Sequence, residues 1–162
     1  MSEKTDISCE AGRYENFTGI IMWGKTEGLV ENASFTLEEM VYFKAIIFHS
    51  GIWKNGIWAY GTWKDGTWEK GNWENGTWKG GLWKSGVWDG GTWWRGTWEN
   101  GNWKNGVWYG GVWENGLWNG GTWVKGLWRC GTWENGNWWG GTWKKGTWKK
   151  GIWKDGNWGR GG

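Results

Sequence analysis

From Gly51 to Trp158 the chain repeats Gly-x-Trp-x-x twenty-two times without a gap. Trp53, Trp58, Trp63, Trp68, Trp73, Trp78, Trp83 and Trp88 open a series that keeps a period of five to Trp158, each with a glycine two residues before it. Of the twenty-five tryptophans, only Trp23, Trp94 and Trp139 fall outside the series. Such a period fits neither an α-helix nor an extended strand: tryptophan would wander round the helix axis, or alternate between the two faces of a strand. A coil of short extended sides, with a corner in every pentad, instead holds both the glycine (position i−2) and the tryptophan (position i) inside. Stacked coils then exchange backbone hydrogen bonds at a spacing of about 4.8 Å, pairing groups that no single pentad could pair. The expectation is an all-β, parallel β-solenoid.

Composition agrees with a repeat array rather than an ordinary globular domain: 34 glycines and no proline in 162 residues, against a usual glycine content of about 7%. Cys9 and Cys130 form no disulfide or zinc pattern, and the single histidine, His49, excludes multi-histidine metal chemistry. No cofactor is expected. No apolar run approaches the roughly 20 residues of a membrane helix. The polar start, Met1 to Asp6, lacks the apolar core of a signal peptide. The expectation is therefore a cytoplasmic protein, in which the Asn-x-Ser/Thr triplets at Asn16, Asn32 and Asn75 carry no glycan.

Residues 1–40 read as a separate cap or assembly segment. Phe17 to Trp23 (FTGIIMW) is β-branched and aromatic and stops at Gly24, which predicts a strand. Thr36-Leu-Glu-Glu39 has the form of a capping box and predicts a short helix or turn before Val41, making the cap a mixed one. Extrapolated backwards, the pentad register places Phe43 and Phe48 at tryptophan positions, so the solenoid is read as 41–160, with 161–162 a tail. Within each pentad, position i−1 is Thr, Val, Ile, Leu or Asn, a strand-like set. Position i+1 is mostly Lys or Glu, and position i+2 often Asn or Asp before the next glycine. Asn-Gly and Asp-Gly mark turns, so the chain turns once per pentad.

On this pattern residues 41–160 resemble the pentapeptide repeat family, which has a small residue at i−2, a large apolar one at i and polar positions between. The resemblance implies a right-handed quadrilateral β-helix of four pentads per coil, hence six coils and a stack about 29 Å tall. The identities differ: Gly replaces the family's Ala, and Trp replaces its Leu or Phe. A recurrence at thirty residues (Asn75, Asn105 and Asn135; Gly80, Gly110 and Gly140) equals two coils of fifteen and no whole number of twenties. A three-sided coil therefore stands beside the four-sided one.

The periodic tryptophans are expected inside. Each buries about 150–250 Å², worth up to about 4–6 kcal/mol of apolar transfer, and exposing all of them would make an apolar patch no soluble protein tolerates. Each buried indole N–H should then find an acceptor, most simply a backbone carbonyl. Trp94, Tyr109 and Trp139, with Tyr60, fall at i+1 or i+2 and are expected outside, where the first three are candidates for a binding surface. Charge is unevenly placed: residues 1–40 balance to −5 and residues 141–162 to +5, the latter through Lys144, Lys145, Lys149, Lys150, Lys154 and Arg160 against Asp155.

No catalytic constellation is present. His49 with Cys9 or Cys130 lacks any supporting motif, the carboxylates are scattered surface groups, and the glycines lie in no phosphate-binding loop. The first functional expectation is a non-enzymatic structural protein that self-associates through an open C-terminal coil, as a dimer or a head-to-tail filament guided by the charge split. Gly-x-Trp tracts of this kind resemble ones encoded by tailed bacteriophages, which would make the protein a virion or host-takeover component. The second is a protein- or glycan-binding module using the surface aromatics. Nucleic acid is not the expected partner, although the C-terminal lysines could meet one. The DNA mimicry of some pentapeptide repeat proteins needs an acidic surface that a net charge of +3 does not supply.

Overall fold

Each pentad folds as a two-residue strand at positions i−1 and i, followed by a corner, in the computed structural model, which describes residues 6–159. The first coil is one long bent strand, β4 (Lys44–Trp58), and twenty short strands follow, from β5 (Gly61–Trp63) to β24 (Asn157–Trp158). From β4 onward every ladder is parallel, and each strand residue pairs with the one fifteen positions on, as in Trp88↔Trp103 and Trp93↔Trp108. The coil therefore has three sides, and the four-sided reading is corrected. The thirty-residue recurrence is two coils.

The indoles account for three sides. Successive tryptophans meet edge to face, as Trp98 and Trp103 do at 5.9 Å and 73°, while like positions in successive coils stack in parallel, as Trp88 and Trp103 do at 4.8 Å and 6°. Both geometries are favourable for aromatic pairs. A square of four rings with such edges would hold its diagonal pairs about 8 Å apart, beyond attractive contact, and would leave a void that close-packed interiors do not carry. Three columns result: Phe48 and Trp63 to Trp153 on the first face, Trp53 to Trp158 on the second and Trp58 to Trp148 on the third. The periodic tryptophans from Trp53 to Trp138 have no solvent exposure.

The backbone closes each coil on the next with two bonds per pentad. The i−1 amide donates to the glycine carbonyl of the coil before, and the i+1 amide to its tryptophan carbonyl, as Leu82 to Gly66 (2.9 Å) and Lys84 to Trp68 (2.8 Å). At several corners the i+2 side chain accepts from the glycine that follows, Asn75 from the Gly76 amide at 2.8 Å and Asp155 from the Gly156 amide at 2.7 Å. These are the Asn-Gly and Asp-Gly turns of the sequence.

The N-terminal residues extend the same stack. Strands β1 (Asp6–Ser8), β2 (Gly12–Trp23) and β3 (Thr26–Glu39) precede β4; β2 and β3 are antiparallel, β3 runs antiparallel along β4, and β1 is parallel to β2. The predicted strand over Phe17–Trp23 lies in β2. The predicted helix at Thr36–Glu39 is strand instead: Thr36 pairs with Ile47 and Leu37 with Ile46, because tertiary pairing with the apolar β4 outweighs a local capping signal. The cap is all-β, not mixed. With β2 and β3 the stack has roughly ten layers and stands about 45 Å tall, taller than four sides would give.

The core tapers through the cap. Above Trp53 lies Val30 and above that Gly19; above Phe48 lies Phe35 and above that Tyr14, whose ring stacks on Phe35 at 4.9 Å. Over the third face, buried Thr26 accepts the Ala59 amide through Oγ1 at 2.9 Å. Phe43 does not continue the ladder as extrapolated. It is half-exposed, beside the exposed Val41 and Tyr42, and packs edge-on against Tyr60 at 4.8 Å. The repeat begins with Phe48, and Trp58 heads its own column.

Candidate functional site

Three sides bring together residues that the sequence scatters. On the first face, position i+1 of successive coils reads His49, Lys64, Lys79, Trp94, Tyr109, Val124, Trp139 and Lys154. Trp94, Tyr109 and Trp139, separate in sequence, thus fall on a single line with Val124 between the last two. Trp94 and Trp139 are each 49% exposed and Tyr109 37%. The result is an apolar ridge four coils long, about 15–20 Å. A twenty-residue coil would have placed Trp94 and Trp139 on different faces, so the sequence names the three aromatics as surface candidates but not their alignment.

Ring orientation limits what the ridge can hold. Trp94 and Tyr109 stack on each other at 4.4 Å and 10°, and the ammonium of Lys154 lies 4.2 Å from the Trp139 ring centre, a cation–π contact. One face of each ring is thus taken by a neighbour along the axis, and the ring edges point outward. A sugar stacking on an aromatic platform needs an open ring face. A protein side chain packing on a ridge does not.

The other two faces look different. Their i+1 positions carry the glutamates of the coils, and several ion pairs bridge adjacent coils: Lys54–Glu69 (3.4 Å) and Arg129–Glu114 (3.5 Å) on the second face, Lys104–Asp89 and Lys149–Glu134 (both 2.9 Å) on the third. Lys54 also meets Glu31 of the cap at 3.1 Å, and that bond holds its ammonium above the usual lysine range. Such exposed pairs contribute little stability, with a median of about 0–1 kcal/mol. They tie charges across coils on these two faces, and the first face carries no such pair among the described residues.

His49 heads the first-face column. Its Nε2 is 3.0 Å from the Thr36 hydroxyl. Burial first, then the positive charges of Lys64 and Arg13, lower its pKa below the ordinary value, with Glu15 opposing. The neutral imidazole is favoured in the fold, so this contribution to stability is complete above about pH 6.5 and declines as pH falls through the lowered value. A proton NMR titration is expected to give His49 a midpoint below that of a free histidine; a midpoint above it would contradict this environment. Cys9 is exposed and Cys130 lies at a second-face corner several coils from His49, so nothing assembles a nucleophile pair.

The basic residues form a collar rather than a patch. Lys144 lies on the second face, Lys149 on the third and Lys154 on the first, with Lys145 and Lys150 at the corners that follow the second and the third; Arg160 lies outside the described residues. At this end the core is progressively uncovered: Trp143 is buried, Trp148 and Trp153 are partly buried, and Trp158 is 53% exposed.

The indole nitrogens depart from expectation. Trp93 and Trp123 donate to the carbonyls of Gly110 and Gly140, at 3.2 and 3.1 Å, but sixteen other core indoles have no acceptor in bonding geometry. The reason is their direction. Nε1 of Trp108, Trp118 and Trp138 faces the corner glycine eighteen residues on, in the space a Cβ would fill, and packing there has prevailed over hydrogen bonding. No family model, curated protein or solved structure matches the chain.

Proposed function

We propose that this protein is a rigid, non-enzymatic β-solenoid that serves as a protein-binding module, with the Trp94–Tyr109–Val124–Trp139 ridge as its contact surface. The observation that carries the reading is the alignment of these residues on one face while the other two faces carry inter-coil ion pairs. Aromatic side chains on a rigid support are the usual anchors of protein interfaces, and a β-solenoid with a continuous indole core holds them without loop entropy. The charged groups of the repeat lie on solvated faces rather than in a cleft that would perturb them, which favours binding over chemistry. The occupied ring faces favour a protein partner over a glycan.

The double variant Trp94→Ala/Trp139→Ala tests the reading. Both positions are exposed, so the melting temperature is expected to change by no more than a few degrees, while binding to peptides selected on the native protein should fall by at least about tenfold. Unchanged binding by an intact fold would remove the ridge from consideration.

A second reading is end-to-end self-association as a structural or virion protein. It draws on the exposed Trp158 and the partly buried Trp148 and Trp153 of the last described coil, with the basic collar there and an acidic cap opposite. Light scattering over a concentration series should then show mass that grows with concentration and shrinks in salt; a monomer throughout would dismiss it.

A further inference from the structure

The first face differs from the others in charge as well as in aromatics, and that difference specifies a partner. From Asn75 to Lys154 its positions i−1, i+1 and the corners between contain no carboxylate, and Asp65 and Asp155 bound that stretch in the corner column that follows the tryptophans. They do contain Lys79, Arg95, Lys125, Lys150 and Lys154. The glutamates Glu69, Glu99 and Glu114 lie on the second face and Glu74 and Glu134 on the third. Among the described residues none of these five cations has an ion-pair partner; Lys54, Lys104, Arg129 and Lys149 on the other faces do, while Lys70, Lys84, Lys144 and Lys145 there do not.

The corner beside the ridge reinforces this. It runs Gly80, Arg95, Gly110, Lys125, Gly140, alternating cation and glycine every coil. The Arg95 side chain lies back over Gly80 and that of Lys125 over Gly110, within 4 Å of where a Cβ would stand. The glycines thus give each cation room to lie along the flank of the ridge. Cations two coils apart, about 10 Å, line one side of an apolar strip whose ends are closed by Lys79 and Lys154.

We infer that the first face binds an acidic, amphipathic protein segment: apolar side chains on the Trp94–Trp139 ridge, with carboxylates meeting Arg95 and Lys125 along its flank and Lys79 and Lys154 at its ends. This rests on the binding-module reading and adds the chemistry of the partner. Charge complementarity of this kind steers encounter and excludes wrong partners. Single-stranded nucleic acid is the other polyanion that combines charge with stacking groups, but it needs aromatic faces turned outward, and here the rings stack along the axis, Trp94 on Tyr109 and Trp139 under Lys154.

The test is a random peptide library panned on the native protein, with counter-selection on Trp94→Ala/Trp139→Ala. Clones that need the ridge are expected to be rich in Asp and Glu interleaved with large apolar residues. Their affinity for the variant Lys79→Glu/Arg95→Glu/Lys125→Glu should drop on the order of tenfold or more and should fall with added salt. All three positions are exposed, and circular dichroism of the variant verifies its fold. Ridge-dependent clones that are neutral or basic, or indifferent to the charge reversal, would overturn the acidic partner and leave the binding module standing. The absence of any ridge-dependent clone would overturn both. A fluorescent single-stranded oligonucleotide that binds the native protein and loses affinity on Trp94→Ala/Trp139→Ala would replace the protein partner with nucleic acid.

Discussion

Alanine at Gly91 should break the stack, while alanine one residue earlier, at Gly90, should leave it whole. The two glycines are adjacent and belong to the same doublet. Gly91 sits at position i−2 with φ +106°, and a Cβ there would run into the carbonyl oxygen and amide of Gly76 in the coil before. Neither neighbour is a flexible side chain that could yield. Backbone strain of about 1–3 kcal/mol adds to an overpacking penalty of similar size, giving roughly 2–6 kcal/mol, or about 4–24 °C in Tm for a chain of this length. Gly90 is at i+2, its nearest neighbour is the Glu74 carbonyl oxygen at 3.7 Å, and its φ lies outside the region that favours glycine. Gly90→Ala should be neutral or stabilise by about 0.4–1 kcal/mol through the unfolded chain. Thermal melts of the two variants decide the matter. Equal losses would mean that the coil spacing relaxes to admit a side chain.

The second large effect is positional. Trp103 stacks on Trp88 and Trp118, both at 4.8 Å, and meets Trp98 and Trp108 edge-on at 5.9 and 6.0 Å. Trp103→Ala removes all four contacts and leaves a cavity in mid-stack, at a cost of about 3–5 kcal/mol. Trp158→Ala, at the half-exposed end of its column, should cost under about 1 kcal/mol. A solenoid's stability is a sum over neighbouring layers, so the central loss should also divide cooperativity. Hydrogen exchange is expected to quicken on the coils next to Trp103 before those far from it. A Trp158 variant as damaging as the Trp103 one would refute a layered core.

What the sequence determined by itself was local and periodic. The Gly-x-Trp pentad dictates an inward indole, a corner and a stack, because no helix or flat strand can keep every fifth residue on one side. Asn75 and Asp155 announced corners through their own bonding to the next amide, and Phe17–Trp23 announced a strand by composition. Non-local geometry was decided elsewhere. The Thr36–Glu39 signal, sound for an isolated segment, yielded to pairing with Ile46 and Ile47. Phe43, in register by extrapolation, was left outside because the cap strand crosses there. Core indole nitrogens such as those of Trp108, Trp118 and Trp138 face glycine corners and have no acceptor there.

The number of sides mattered most. A pentad carries no information about whether three or four of them close a coil; that depends on how many indoles fill the interior without a void, a property of the packed cross-section. Three is the answer that edge-to-face contacts near 6 Å allow. It sets a fifteen-residue coil, and only that length places Trp94, Tyr109, Val124 and Trp139 on one line and most of the glutamates on the other two faces. The aromatic residues were legible in the sequence. The surface they make was not, because it exists only once the coil has closed.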